Sequence, residues 1–116
     1  MKPSDPKELA ESILERSVCQ VQVGAVITDK HGIISWGWNS SGADGLGICA
    51  ERHAILRANR NRLKGAEIYV AAVRVRNGKV LNAFPCKECQ GYLERYKIHR
   101  IHWRTDEGKW MTRIQT

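Results

Sequence analysis

No stretch of the 116 residues is apolar for long enough to cross a bilayer. The opening segment, MKPSDPKELAES, lacks the apolar centre of a secretion signal. Both absences favour the cytoplasm and give no reason to expect a membrane partner. Internal repeats, low-complexity tracts and linker-like runs are also missing, so one domain over residues 1–116 is expected. A chain of this length buries a real core and needs no disulfide framework. Acids are in the minority, 12 against 19 Lys and Arg, for a net charge of +7. The first fifteen residues hold two lysines and four acids, so the remainder carries +9. That surplus suits an anionic partner, a nucleotide phosphate or a nucleic-acid strand. It is also met by a solvated basic surface, with Arg57, Arg60, Arg62 and Lys64 on the outer side of one helix and its exit.

The pattern of apolar residues lays out the elements. Asp5 can cap a first helix, Pro6 suits its first turn, and Glu8 stands at the capping-box position. Leu9, Ile13 and Leu14 give that helix an apolar side. Val21, Val23, Ala25 and Ile27 alternate as a strand, Asp29 to Gly32 turns, and Ile33 to Trp38 returns. Residues 39–47 read as loop. Cys49 to Arg60 reads as a helix, Ile68 to Val75 as a buried strand, and Asn77-Gly78 as a tight turn. Cys86 to Tyr96 is a further helix, followed by strands Ile98 to Trp103 and Trp110 to Ile114. The order α-β-β-α-β-α-β-β predicts a mixed five-stranded α/β sheet with helices on its faces. The last two strands are too close in sequence for a helical crossover and should be antiparallel.

There are only four cysteines: Cys19, Cys49, Cys86 and Cys89. An even count allows two disulfides, but a C-x-x-C pair in a non-secreted chain reads better as metal or redox chemistry. Two short runs stand out, Cys49-Ala-Glu51 and Pro85-Cys-Lys-Glu-Cys89. Each lies at the expected N-terminus of a helix, where the dipole favours thiolate. Cys86 and Cys89 share a helix face, so three thiolates could converge on one zinc. Three protein ligands leave the fourth position to water, whose pKa zinc lowers to about 7. Glu51, two residues past the first ligand, could stand beside the metal and shuttle protons.

The two motifs, in this order, resemble the zinc cytidine/deoxycytidylate deaminase superfamily, whose signature is His/Cys-x-Glu followed by Pro-Cys-x-x-Cys. The resemblance runs from about Val23 to Trp103 and includes Val23-Gly-Ala-Val-Ile27, Gly37-Trp-Asn39 and Leu46-Gly-Ile-Cys-Ala-Glu-Arg-His-Ala-Ile55. It implies a three-layer α/β/α cytidine deaminase-like fold. It also implies one Zn2+ per chain on Cys49, Cys86 and Cys89, with Glu51 catalytic. The backbone amide of Cys86 would contact the zinc-bound hydroxyl. Arg52 would offset the negative charge of the zinc–thiolate centre, Asn39 would hold the sugar, and Ala50 would accept from the amine. Deamination of a cytosine nucleoside or nucleotide is the implied reaction, in a homo-oligomer expected to be a tetramer.

Two departures bear on the substrate. The nucleoside branch usually has Asn-x-Glu-Asn where this chain has Asn39-Ser-Ser-Gly42, and Arg-Gln where it has Gln90-Gly91. The first-position Cys49, Arg52 and the C-terminal hairpin resemble the free-nucleoside branch, whereas the Gly-Trp-Asn-Ser run and the net charge look more like nucleotide deaminases. An alternative is a polynucleotide deaminase acting on single-stranded DNA or tRNA. Another is a closed structural zinc site with His53 as fourth ligand, in which case Glu51 would be dispensable. Cys86 and Cys89 could instead form a redox disulfide. Cys19 reads as a small buried residue, and His31, His99 and His102 as structural. The four tryptophans read as core or interface, with Trp103 the candidate for stacking on a base.

Overall fold

The computed structural model describes residues 5–41 and 47–115. It builds three helices and six strands: α1 (Pro6–Ser12), β1 (Val21–Asp29), β2 (Gly32–Trp38), α2 (Ala50–Arg57), β3 (Glu67–Arg74), β4 (Lys79–Leu81), α3 (Lys87–Arg95), β5 (Arg100–Arg104) and β6 (Trp110–Ile114). Asp5 caps α1 by accepting from the Lys7 N–H at 2.8 Å, and Pro6 opens the helix. A 3-10 turn, Ile13–Arg16, continues it.

The strand order is β2-β1-β3-β5-β6, with β4 pairing β3. β1 is antiparallel to both β2 and β3, so β2 and β3 run the same way. β5 joins β3 in parallel, and β6 folds back antiparallel on β5 as expected. β4 is a sixth strand that the five-strand expectation missed. Three residues are too few to show a period-two pattern. The turn before it is the expected one: Asn77 Oδ1 accepts from the Lys79 N–H, and Gly78 has φ +66°.

Each sheet face carries its own core, giving three layers. Ala10, Ile13 and Leu14 pack with Val26 and Ala71 on the α1 side. Ala54, Ile55 and Leu93 pack with Ile27, Ile68, Val70 and Ile101 on the α2/α3 side. α2 stops at Arg57 rather than Arg60. Ala58 turns extended, and Asn59 Oδ1 accepts from the Asn61 N–H to begin a separate 3-10 turn, Arg60–Arg62. β5 starts at Arg100, two residues later than expected, because the Ile98 N–H donates to Leu93 O in the turn leaving α3. No helix among the described residues is long and apolar enough to cross a membrane.

Gly37 lets α2 lie directly on β2. A Cβ there would stand 2.4 Å from Ala54 N and 2.8 Å from Ala50 O. Gly37→Ala must therefore push away the helix that carries the first motif, at about 1–3 kcal/mol. Its melting temperature should fall clearly below that of the unsubstituted protein; an unchanged melting temperature would show the contact to be slack.

Arg62 grips Asp29 with two hydrogen bonds, 2.7 and 2.9 Å, tying the exit of α2 to the β1–β2 turn. The guanidinium holds the Asp29 carboxyl down at about 2. A lowered folded-state pKa adds stability that is fully present above the unfolded value of about 3.9. That stability is lost as pH falls through about 2. Asp29→Asn should therefore melt lower than wild type near neutral pH, and the gap should close in strong acid. A gap independent of pH would mean that this ion pair stabilises nothing.

Candidate active site

Both motif helices start at the same end of the sheet. α2 follows β2 and α3 follows the β3–β4 hairpin, and β2 and β3 run in one direction. Their N-termini therefore meet beyond the carboxyl ends of the parallel strands, where α/β sheets keep their ligand crevices. Just before α2, Ser40 and Ile48 exchange backbone hydrogen bonds of 3.0 and 2.9 Å. That bridge closes the base of the loop and aims Cys49. Part of the expected loop (residues 42–46, including Gly42 and Leu46 of the quoted motifs) lies outside the described residues.

Cys49 is the N-cap of α2, and its Sγ accepts from the Arg52 backbone N–H at 3.4 Å. The Cys89 thiol donates to Cys49 Sγ at 2.8 Å, well beyond a disulfide bond of about 2.05 Å. All four cysteines are free. The ligand atoms of Cys49, Glu51 and Cys89 lie within 4.8 Å of one another. Cys86, N-cap of α3, is exposed and falls outside that group, yet it lines the same pocket. The structure thus brings together two of the expected ligands with the expected acid, and sets the third at the rim.

The Cys89 hydrogen bond, helped by the Arg52 N–H, lowers the Cys49 thiol to about 6 against the opposing effect of burial. The bond to Cys49 pushes the Cys89 thiol up, and burial adds to it. Glu51 is 4% exposed and is the only acid in the buried set of described residues. Burial, then the charge on Cys49, raises its carboxyl to about 7. An acid poised there can both take and give a proton near neutral pH. Soft sulfur donors beside an open pocket of about 350 Å³ suit a zinc ion.

The remaining site residues sit as follows. Asn39 lines the pocket, but Oδ1 accepts from the Val23 N–H (2.9 Å) and Nδ2 donates to Val21 O (2.8 Å). One amide hydrogen and one lone pair stay available for a ligand. Ala50 is fully buried at the pocket floor, its carbonyl turned toward Gly37. The Arg52 guanidinium lies 5.2 Å from the Tyr92 ring centre, so its side chain staples α2 to α3 while its backbone serves the sulfur. His53 Nδ1 is 3.1 Å from the Trp38 N–H, which fastens the ring to β2. That bond leaves His53 outside the cysteine–glutamate group. Cys19 is half-buried, its Sγ 3.8 Å from Asn39 O.

Sequence reasoning missed Phe84. It lines the pocket and holds Trp103 edge-on at 4.8 Å, so Trp103 backs the wall that Phe84 presents. Its position directly before Pro85-Cys86 was the available signal. Tyr92, one turn past Cys89, was missed as well.

No curated protein is significantly similar to the chain in sequence. Solved structures share the fold. Cytidine deaminase from Burkholderia pseudomallei superposes with a TM-score of 0.72 at 23% identity, over 98% of this chain and 93% of that one. The apo dCMP deaminase of cyanophage S-TIM5 gives 0.67 at 19%, over 90% and 86%. Cytidine deaminase from Mycobacterium leprae gives 0.59 at 24%, over 91% and 88%. The profile of the cytidine and deoxycytidylate deaminase zinc-binding region matches residues 6–105. With that match spanning most of the chain and both motif helices meeting at one pocket, the protein belongs to the cytidine and deoxycytidylate deaminase family.

Proposed function

We propose that the protein hydrolyses the exocyclic amine of a cytosine nucleoside or nucleotide (cytidine, deoxycytidine or dCMP) to the uracil form. The observation that carries this reading is Glu51: a buried acid with no ion-pair partner among the described residues, beside two thiols, facing a pocket. Burying such a group unpaired is costly, and that cost is characteristic of working acids.

Cys49, Cys86 and Cys89 would hold one zinc ion, Cys86 by a side-chain rotation at its exposed N-cap. Bound there, zinc would supply hydroxide at neutral pH. The protein's own residues do the rest. Phe84 and Ala50 bound the space for a flat base, and Asn39 offers its spare amide groups to a sugar. Glu51, its carboxyl raised to about 7 by burial, takes the two protons of the attacking water in turn, delivering the first to the ring nitrogen and the second to the amine, which leaves as ammonia. The backbone N–H of Cys86 would face the attacking oxygen, and the Ala50 backbone, whose carbonyl lies against Gly37, would press on the base. Arg52 offsets charge on the thiolates through its backbone N–H.

The reading takes residues 1–116 as one domain in the cytoplasm, where thiols stay reduced. It also takes the working form as a homo-oligomer, a tetramer. Met111 and Ile114 are exposed on β6, an edge strand of the sheet, whose unpaired side is open to a second copy. Sedimentation should return four times the chain mass; a monomer at working concentration would remove this part of the reading.

Ammonia release from cytidine, deoxycytidine and dCMP tests the activity. Glu51→Gln should lower kcat by about 10²–10⁴-fold while one zinc per chain stays bound. Cys86→Ala should instead lose zinc. Turnover that survives Glu51→Gln would remove the proposal, and zinc lost from that variant would make the carboxylate a ligand rather than a proton carrier.

A further inference from the structure

The strands beneath the pocket continue past its edge. Register pairs Val23 with Ala72 and, two residues on, Val21 with Arg74. β4 extends both rows, Leu81 beside Ala72 and Lys79 beside Arg74. Val21, Val23, Ala72 and Leu81 all line the pocket of Cys49 and Glu51. Side chains alternate along a strand, so Arg74 and Lys79 belong to that same face, one row farther out. A second cleft of about 270 Å³ opens there, lined by Gln20, Val21, Arg74 and Arg76, and it shares Val21 with the first. No acid lines it. Among the described residues, no ion pair engages Arg74, Arg76 or Lys79.

We propose that this cleft is a phosphate subsite, taking the 5′-phosphate of a cytosine nucleotide whose base lies beside Glu51. The inference rests on the deaminase reading and narrows it: the substrate is a nucleotide rather than a nucleoside. Two residues of strand advance about 6.6 Å, comparable with the ribose that separates a base from its 5′-phosphate. Guanidinium groups match phosphate with paired, charge-assisted hydrogen bonds. All three cations belong to the single β3–β4 hairpin, Arg74 ending β3, Arg76 in the turn and Lys79 opening β4. That compactness suits one phosphate better than a track for a strand.

The zinc-loaded protein is assayed for kcat/KM on dCMP, deoxycytidine and a cytosine oligonucleotide, and for direct binding of dUMP against deoxyuridine by calorimetry. The proposal expects dCMP and dUMP to be favoured by about tenfold or more over the nucleosides. Arg74→Gln should collapse that ratio, chiefly through KM. Arg60→Gln, which removes an exposed cation elsewhere, should leave the ratio where it is. Equal use of nucleotide and nucleoside, with Arg74→Gln changing neither ratio, would overturn the subsite and leave the deaminase reading standing. Reaction of the oligonucleotide alone would overturn it in favour of a strand-binding surface. If nothing is turned over, the deaminase reading fails, and the binding ratio decides the subsite by itself: tenfold tighter dUMP sustains it, and equal or absent binding overturns it.

Discussion

The Glu51 carboxyl, almost out of water and beside the Cys49 sulfur, is the constraint around which the structure is organised. A carboxyl in that setting resists ionisation, so its pKa rises to about 7. Leaving it there requires the rest of the fold to hold α2 down against the sheet. Gly37 allows that contact by offering no side chain under Ala50 and Ala54. The hydroxyl of Ser35 adds a hydrogen bond of 2.8 Å to Ala54 O. The buried apolar residues of α2, Ala54 and Ile55, join the larger of the two cores. The helix is therefore fixed in place on both its polar and its apolar contacts.

The second requirement is that another helix deliver its N-terminus to the same point. Strand direction meets it. Because β1 is antiparallel to both its neighbours, β2 and β3 end on one side of the sheet; α2 starts there after β2, and β4 turns back for only three residues before the chain enters α3. Cys49 and Cys89, forty residues apart in sequence, then meet at 2.8 Å. The Arg52 guanidinium over Tyr92 joins the two helices a turn beyond the sulfurs. Phe84 and Trp103 close the wall on the opposite side. Basic residues thus do several jobs here. Arg62 ties down a turn and Arg57 covers Trp36, whereas Arg74 and Arg76 stay without an acidic partner among the described residues.

Much of this was legible in the residue order. Period-two alternation marked β1 and β2, and the short gap before Trp110 marked β5 and β6 as an antiparallel pair. β4 was not legible, since three residues carry no readable period. The early end of α2 was not legible either, because the Asn59 side chain competes with the helix by a local hydrogen bond that composition alone does not reveal. At the site, Cys49, Glu51 and Cys89 were readable from their spacing on two helix starts. Phe84 was signalled only by standing directly before Pro85-Cys86, and Tyr92 not at all, since an aromatic residue in a helix gives no sign in sequence of which neighbour it will face.

The chain's sequence by itself determined the chemistry available: three sulfurs and one acid at the starts of two helices, on a pattern of strands able to carry them. Spacing within a helix or strand is local, and local geometry follows from residue order. Tertiary structure alone decided which side chains are shared out to other work. It turned Arg52 toward Tyr92, locked His53 to Trp38, occupied half of the Asn39 amide with β1, and left Cys86 at the rim. It also set Arg74 and Lys79 in one row beside the pocket, because only strand pairing brings residues from β3 and β4 into register. Those outcomes depend on contacts between segments far apart in the chain, and on competition for the same donors and acceptors, which no spacing rule encodes.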